Sequence, residues 1–84
     1  MYEITTKGKG VEKKFRQYLN DKVIKKLELL KQDPRRNLDA HKLKGKLQDK
    51  WSCWLESNVR IIYEIDDENK EIMVIAIGSH KIYF

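Results

Sequence analysis

One arginine lies within the most strand-prone segment of the chain, which runs from Val59 to Ile65 and contains no Gly or Pro. Side chains alternate along a strand, so two faces are predicted: an apolar one with Val59, Ile61, Tyr63 and Ile65, and another with Arg60, Ile62 and Glu64. A guanidinium on a strand is held in place and can bind phosphate through two parallel N–H donors. The alternative is an edge position where Arg60 and Glu64 are solvated, and this strand favours neither.

A second cationic group is the alternating run His41-Lys42-Leu43-Lys44-Gly45-Lys46-Leu47. If the run is extended, the ammonium groups of Lys42, Lys44 and Lys46 project on one side, and the two leucines anchor the other. Such a row suits a phosphodiester backbone, where lysines act as point charges. The alternative is a solvated edge anchored by leucines.

The last seven residues, Gly78-Ser79-His80-Lys81-Ile82-Tyr83-Phe84, add groups for proton transfer and stacking. His80 can change its charge near neutral pH, and Tyr83 can stack on a base or donate its hydroxyl. Lys81 is a further candidate for RNA binding. Both His80 and Tyr83 follow an apolar segment that would position them, although such terminal residues are often only part of the surface.

Together these residues match the cleavage of RNA by its own 2′-hydroxyl, which needs a base, an acid and a cation for the phosphate. Arg60 would stabilise the phosphate, His80 or His41 would transfer the proton, and Tyr83 would hold a base. The two histidines are far apart in sequence, and the hairpin carboxylates Asp66, Asp67 and Glu68 lack the glycine and spaced acceptors of a calcium loop, so a solvated turn is expected there. We therefore predict neither a metal nor a cofactor.

Composition predicts one domain over residues 1–84, with 40% hydrophobic and 37% charged residues and a net charge of +5. The positive charge is concentrated in residues 1–50, where 15 Lys and Arg face 7 Asp and Glu. A polyanionic partner is one reading of this asymmetry; for residues 7–31, ordinary solvation of helix faces is favoured. A single cysteine, Cys53, and the lack of a signal or membrane-spanning segment predict a cytoplasmic protein.

The apolar spacing predicts a first strand over Tyr2 to Thr6 and an amphipathic helical region from Val11 to Leu30. Asn20-Asp21 could cap a second helix, so one long helix and two short ones both remain open. Asp33-Pro34 ends the region. Three strands follow, at Trp51 to Glu56, Val59 to Ile65 and Ile72 to Ile77, and the last is expected to be the most buried.

This order predicts an α+β fold of two layers, with one or two N-terminal helices on one face of a mostly antiparallel sheet of about four strands. Arg60 would lie on the other face, and the nuclease interpretation requires it within about 10 Å of the last seven residues. A two-residue turn at Ser57-Asn58 would place Leu55 opposite Arg60 and Trp54 opposite Ile61, which makes Trp54 a core residue.

Several segments together resemble the RelE/ParE superfamily of bacterial toxins from toxin–antitoxin systems, and most of all its RelE/StbE-type mRNA interferases. They are the run 41–47, Trp51-Ser52, the strand 59–65, Gly78-Ser79-His80 and Tyr83. The resemblance extends from about Asp33 to the end of the chain, and the helical half fits in pattern.

The resemblance implies a RelE-like fold and a ribosome-dependent endoribonuclease that cuts mRNA and is neutralised by a small, acidic antitoxin. It assigns phosphate stabilisation to Arg60, proton transfer to His80, the C-terminal aromatic position to Tyr83 and backbone binding to Lys42, Lys44 and Lys46. His41 matches a catalytic histidine of YafQ-like members. Cys53 and Trp54 depart from the pattern, because several members carry Arg or Lys there.

Two other functions remain open. A ParE-like inhibitor of DNA gyrase would share the fold, and a nucleic-acid-binding module would need no catalysis. His80 and Tyr83 beside Arg60 favour the nuclease, because a gyrase inhibitor needs neither.

Overall fold

The structure is a computed structural model that describes residues 1–56 and 58–79, apart from the side chain of Leu47. Its elements are β1 (Glu3–Thr6), α1 (Lys9–Tyr18), α2 (Asp21–Gln32), β2 (His41–Lys42), β3 (Trp51–Glu56), β4 (Val59–Asp66) and β5 (Glu71–Gly78). Short 3₁₀ helices at Asn37–Asp39 and Gly45–Leu47 flank β2. Of the predicted residues, Ser57, His80, Lys81 and Tyr83 lie outside this description.

The five strands form one sheet in the order β1-β5-β4-β3-β2. β1 is parallel to β5, and the other neighbours are antiparallel. The α+β class and the predicted strands are confirmed. The sheet has one strand more than the expected four, because His41 and Lys42 pair with Ser52 and Trp51 at its edge.

The helical region consists of two helices, which settles the choice that the sequence left open. The side chain of Asn20 accepts a hydrogen bond of 2.8 Å from the backbone N–H of Val23, and this caps the start of α2. α2 ends at Gln32, just before Asp33-Pro34, as predicted. None of the described helices is long and apolar enough to span a membrane.

Both helices contribute to one core on one face of the sheet. Phe15 of α1 and Val23, Leu27 and Leu30 of α2 join Ile61 and Tyr63 of β4 in a single buried cluster. Val59 belongs to the same cluster and Ile65 packs against it, so the predicted apolar face of β4 is confirmed. Burial of apolar area at about 25 cal/mol per Å² is the main force that holds the helices to this face.

β5 is not buried along its whole length. Ile72, Val74 and Ile77 are buried, whereas Met73, Ile75 and Ala76 are half-buried. The spacing changes from two to three because the ladder with β4 is irregular at this point, where Ile62 pairs with Ala76 and Tyr63 with Val74. The extra residue is Ile75, as in a β-bulge.

Polar contacts fix the loop after α2 to the sheet. The buried hydroxyl of Tyr63 donates to the carbonyl oxygen of Pro34 at 2.5 Å. Arg35 makes a two-pronged contact with Asp67 at 3.0 and 2.7 Å, and the Tyr2 hydroxyl donates to the same carboxylate. These contacts lower the pKa of Asp67 to about 2, mainly through the Arg35 hydrogen bonds. The hairpin expected to be merely solvated therefore holds the loop.

We expect Tyr63→Phe to destabilise the fold by about 1–3 kcal/mol, because it leaves the buried Pro34 carbonyl without its donor. The matched control is Tyr18→Phe, since the Tyr18 hydroxyl makes no hydrogen bond within residues 1–56 and 58–79. Urea unfolding followed by circular dichroism measures both. Equal midpoints for the two variants would show that the Tyr63 hydrogen bond adds no stability.

Candidate functional site

The pairing of β3 with β4 brings Trp54 directly opposite Arg60. The predicted pairing of Trp54 with Ile61 is wrong by one residue, because the ladder shifts between Trp54 and Glu56 and a regular hairpin was assumed. A slip of one residue moves a side chain to the other face of a sheet. Trp54 therefore shares the face of Arg60 instead of lying in the core, and Leu55 is buried in the core.

Trp54 holds the guanidinium of Arg60 by stacking. The Cζ atom of Arg60 lies 3.9 Å from the centroid of the Trp54 ring, and both residues are half-buried. A cation over an indole face is attracted by the ring quadrupole, by about 0.5–2 kcal/mol depending on solvation. Stacking engages the flat face of a guanidinium, so its in-plane N–H donors keep the geometry that suits an oxyanion.

His41 lies on the same face of the sheet as Arg60. It pairs with Ser52, which pairs with Ile62, two residues from Arg60 on β4. Strand spacing and rise put the backbones of His41 and Arg60 about 12 Å apart, a span that two long side chains can bridge around one phosphodiester. The exposed His41 ring has Nδ1 at 3.2 Å from the carbonyl oxygen of Asp39. Because a carbonyl only accepts, this hydrogen bond requires the proton on Nδ1.

The basic run after His41 is exposed but not extended throughout. Lys42 is in β2 and Lys44 is extended, whereas Gly45 adopts φ +72° and starts the 3₁₀ helix that contains Lys46. The expectation of one continuous row of three lysines is therefore wrong at Gly45, where the chain turns. All three lysine side chains are exposed.

Glu64, the acid on the Arg60 face of β4, is paired with two lysines. One carboxylate oxygen lies 2.7 Å from Lys50 Nζ, and the other lies 3.4 Å from Lys7 Nζ. The hydrogen bond from Lys50 is the main cause of the lowered pKa of Glu64. The interpretation of Arg60 and Glu64 as two solvated charges is thus wrong, since one is stacked and the other is paired.

Cys53 points into the core and is fully buried. Burial raises the pKa of its thiol to about 12, so the side chain remains a neutral thiol and takes no part in chemistry on the Arg60 face. Within the described ranges, no three His, Cys, Asp or Glu side chains are grouped so that they could hold a metal ion.

The C-terminal segment starts beside Arg60, because Gly78 pairs directly with that residue across the β4–β5 ladder. The predicted site residues His80, Lys81 and Tyr83 follow, outside the described residues. Of the predicted catalytic set, the structure thus places Arg60 and His41 on one face.

Trp54 is the member of this site that sequence reasoning placed wrongly. The indole was assigned to the core because a regular hairpin alternates its faces from the turn outward. Leu55 is the extra residue that breaks this alternation. Nothing in its residue type marks the irregularity in advance, since Leu is common in regular strands.

Comparison with solved structures identifies the class of protein. The chain has 26% identity and a TM-score of 0.69 with a metal-bound toxin from Helicobacter pylori, over 100% of both chains. With the toxin of a YoeB–YefM complex from Staphylococcus aureus it has 26% identity and a TM-score of 0.67, over 95% of this chain and 98% of the other. A toxin–antitoxin complex, RelBE2 from Mycobacterium tuberculosis, shows the same fold at 17% identity and a TM-score of 0.70, over 94% and 98%.

The recognition of a RelE/ParE-superfamily toxin from the sequence is confirmed. The family model described as YafQ, a bacterial toxin of type II toxin–antitoxin systems, matches residues 5–84, so the chain belongs to that family. No curated protein gives a significant match.

We expect Glu64→Gln to make stability less dependent on acid pH. A carboxylate whose folded pKa is lowered contributes stability that is present above its unfolded pKa, near 4.3, and is lost as pH falls through the folded value. Urea unfolding between pH 6 and pH 3 should therefore show a smaller loss for Glu64→Gln than for the parent chain.

The control for this experiment is Glu68→Gln, which removes the same charge from the exposed turn between β4 and β5. Asp66 and Asp67 have lowered pKa values as well, but they are present in every variant and do not affect the difference. An unchanged acid dependence in Glu64→Gln would mean that its ion pairs do not stabilise the fold.

Proposed function

We propose that this chain is an mRNA endoribonuclease that acts in the ribosome and stops translation. The observation that carries the proposal is the Arg60 guanidinium stacked on Trp54, on the sheet face opposite both helices. A cation fixed before the substrate arrives stabilises the charge that develops on the phosphate without reorganisation. Membership of the YafQ family supports a nuclease over a gyrase inhibitor.

In the proposed reaction the RNA supplies its own nucleophile. The 2′-oxygen forms a bond to the adjacent phosphorus, and the bond from phosphorus to the 5′-oxygen breaks. One group takes the proton of the 2′-hydroxyl, and another gives a proton to the leaving 5′-oxygen. His41 and His80 are the two candidates, with Arg60 on the non-bridging oxygens and Tyr83 stacked on a base. Because the nucleophile is internal, the attack needs no metal-bound water.

A cognate antitoxin would hold this toxin inactive in the cytoplasm. The RelBE2 and YoeB–YefM structures are toxin–antitoxin complexes, and the same arrangement is proposed for this chain. A net charge of +5 favours a small, acidic partner, and the exposed residues Lys42, Lys44 and Lys46, with Lys81, would bind RNA when that partner is absent.

We expect Arg60→Ala to reduce mRNA cleavage by about 10²- to 10³-fold, the usual cost of removing one preorganised group from a developing oxyanion. The assay is primer extension on a defined mRNA in a purified translation system. Arg60→Lys should recover part of the loss, because an ammonium supplies charge without the two-pronged geometry.

The control is Arg36→Ala, which removes an exposed arginine from the loop after α2. Full cleavage by Arg60→Ala would contradict the proposal. DNA damage with intact mRNA in cells that express the chain would instead indicate a gyrase inhibitor.

A second prediction assigns the proton transfers. His41→Gln and His80→Gln are each expected to lower cleavage by about 10²- to 10⁴-fold. Each variant should also lose one limb of the profile of rate against pH. Loss of the base removes the limb on which the rate rises with pH, and loss of the acid removes the limb on which the rate falls. Single-turnover rates between pH 5 and pH 9 measure this. A complete bell-shaped profile in His41→Gln would exclude His41 from proton transfer.

A further inference from the structure

A groove separates α2 from the end of β3, beside the Arg60 site. Its volume is about 620 Å³. Its lining falls into three groups. Lys22, Lys25 and Lys26 of α2 form the lysine wall, Leu38, Trp54 and Leu55 form the apolar floor, and Asp39 and Glu56 are the rim acids.

The lysine wall is a regular array. Lys22, Lys25 and Lys26 have the spacing i, i+3 and i+4, which puts neighbouring side chains about 5–6 Å apart on one helix face. All three are exposed, and none takes part in an ion pair among the described residues. Composition favoured solvation for these lysines, but their place along a groove is the arrangement that follows a nucleic-acid backbone.

Trp54 connects this groove with the Arg60 site. Its ring carries the Arg60 guanidinium at 3.9 Å, and the residue also lines the groove at the end of β3, past the two residues that pair with β2. Because Arg60 lies on the sheet face opposite the helices, a strand of RNA with its scissile phosphate there would pass the indole and round this edge of the sheet to reach the lysines of α2.

We propose that this groove is a subsite for the single-stranded RNA that flanks the scissile phosphate. The lysines of α2 contact phosphates, and the indole of Trp54 stacks on a base. Asp39 and Glu56 accept hydrogen bonds from exocyclic amino groups of bases. This inference rests on the nuclease function proposed above and adds the path of its substrate.

The two rim acids favour RNA over an acidic peptide as the occupant. A peptide rich in Asp and Glu would be attracted by the lysine wall but repelled by Asp39 and Glu56 at short range. RNA suits both sets of charged groups, because its phosphates are attracted by the lysines and the amino groups of its bases can donate hydrogen bonds to the two acids.

The first test compares Lys22→Gln/Lys26→Gln with Lys9→Gln/Lys13→Gln. Each double variant removes two exposed lysines four residues apart at the start of a helix, and only the first pair lines this groove. The probe is a nine-nucleotide 2′-O-methyl RNA, which lacks the nucleophile and cannot be cut. Fluorescence anisotropy gives the dissociation constant at several salt concentrations.

We expect the groove variant to bind the RNA about tenfold more weakly than the parent chain. The slope of log K against log salt should fall in magnitude by about 1.4, since two phosphate contacts are lost and each contributes about 0.7 on a single strand. The α1 variant should change affinity by about twofold at most. Equal effects in the two variants, or no binding by the parent chain at millimolar RNA, would overturn the subsite.

The second test concerns the base contact. Trp54→Ala is expected to weaken binding of the same probe by about tenfold, whereas Trp54→Phe keeps a stacking surface and stays within about threefold of the parent chain. Equal losses in the two variants would contradict stacking. The parent chain is also tested with a poly-glutamate peptide. If Lys22→Gln/Lys26→Gln abolishes binding of that peptide but leaves RNA binding intact, the groove belongs to a protein partner and the proposal is overturned.

Binding and cleavage are measured separately, so the two proposals can fail separately. Groove variants that leave RNA binding unchanged in a chain that cuts mRNA would refute the subsite alone. If the groove variants weaken RNA binding but the parent chain does not cut mRNA, the subsite is supported and the nuclease function is refuted.

Discussion

The register of β3 against β4 determines which β3 side chain lies beside Arg60 and which ones enter the core. Because Leu55 is an extra residue in β3, both Leu55 and Cys53 reach the core while Trp54 stands opposite Arg60. In a regular hairpin, Leu55 would share the face of Arg60, and the indole would be buried under α2. The stacked guanidinium and the floor of the α2 groove both depend on this one irregularity.

Both helices pack on one face of the sheet, and the candidate site lies on the opposite face. The helix side buries Ile61, Tyr63 and Val74, which supply the hydrophobic stabilisation that a small domain needs. The opposite side carries Arg60 and His41 on strands, where the backbone ladders fix their positions. Substitution of the exposed His41 or the half-buried Arg60 can therefore change the charge of that face without opening a cavity in the core.

Elements with a regular period could be predicted from the sequence. The apolar spacing between Val11 and Leu30 and the strand from Val59 to Ile65 predicted the helical region and the inner face of β4, because burial itself imposes these periods. Positions set by one local irregularity could not be predicted. The bulge at Leu55 shifts the pairing of β3 by one residue, and the turn at Gly45 takes Lys46 out of the extended segment. The contact of Arg35 with Asp67 joins segments far apart in sequence.

Trp54 changes how the charge of the site is arranged. The resemblance stated from the sequence implies an arginine or lysine at this strand position, where it would add a second cation. An indole supplies no charge, but it restricts the orientation of the neighbouring guanidinium and offers a surface for a base. In the proposed reaction, electrostatic stabilisation of the phosphate on this part of β3 and β4 would rest on Arg60, and its strength would depend on how rigidly that one side chain is held.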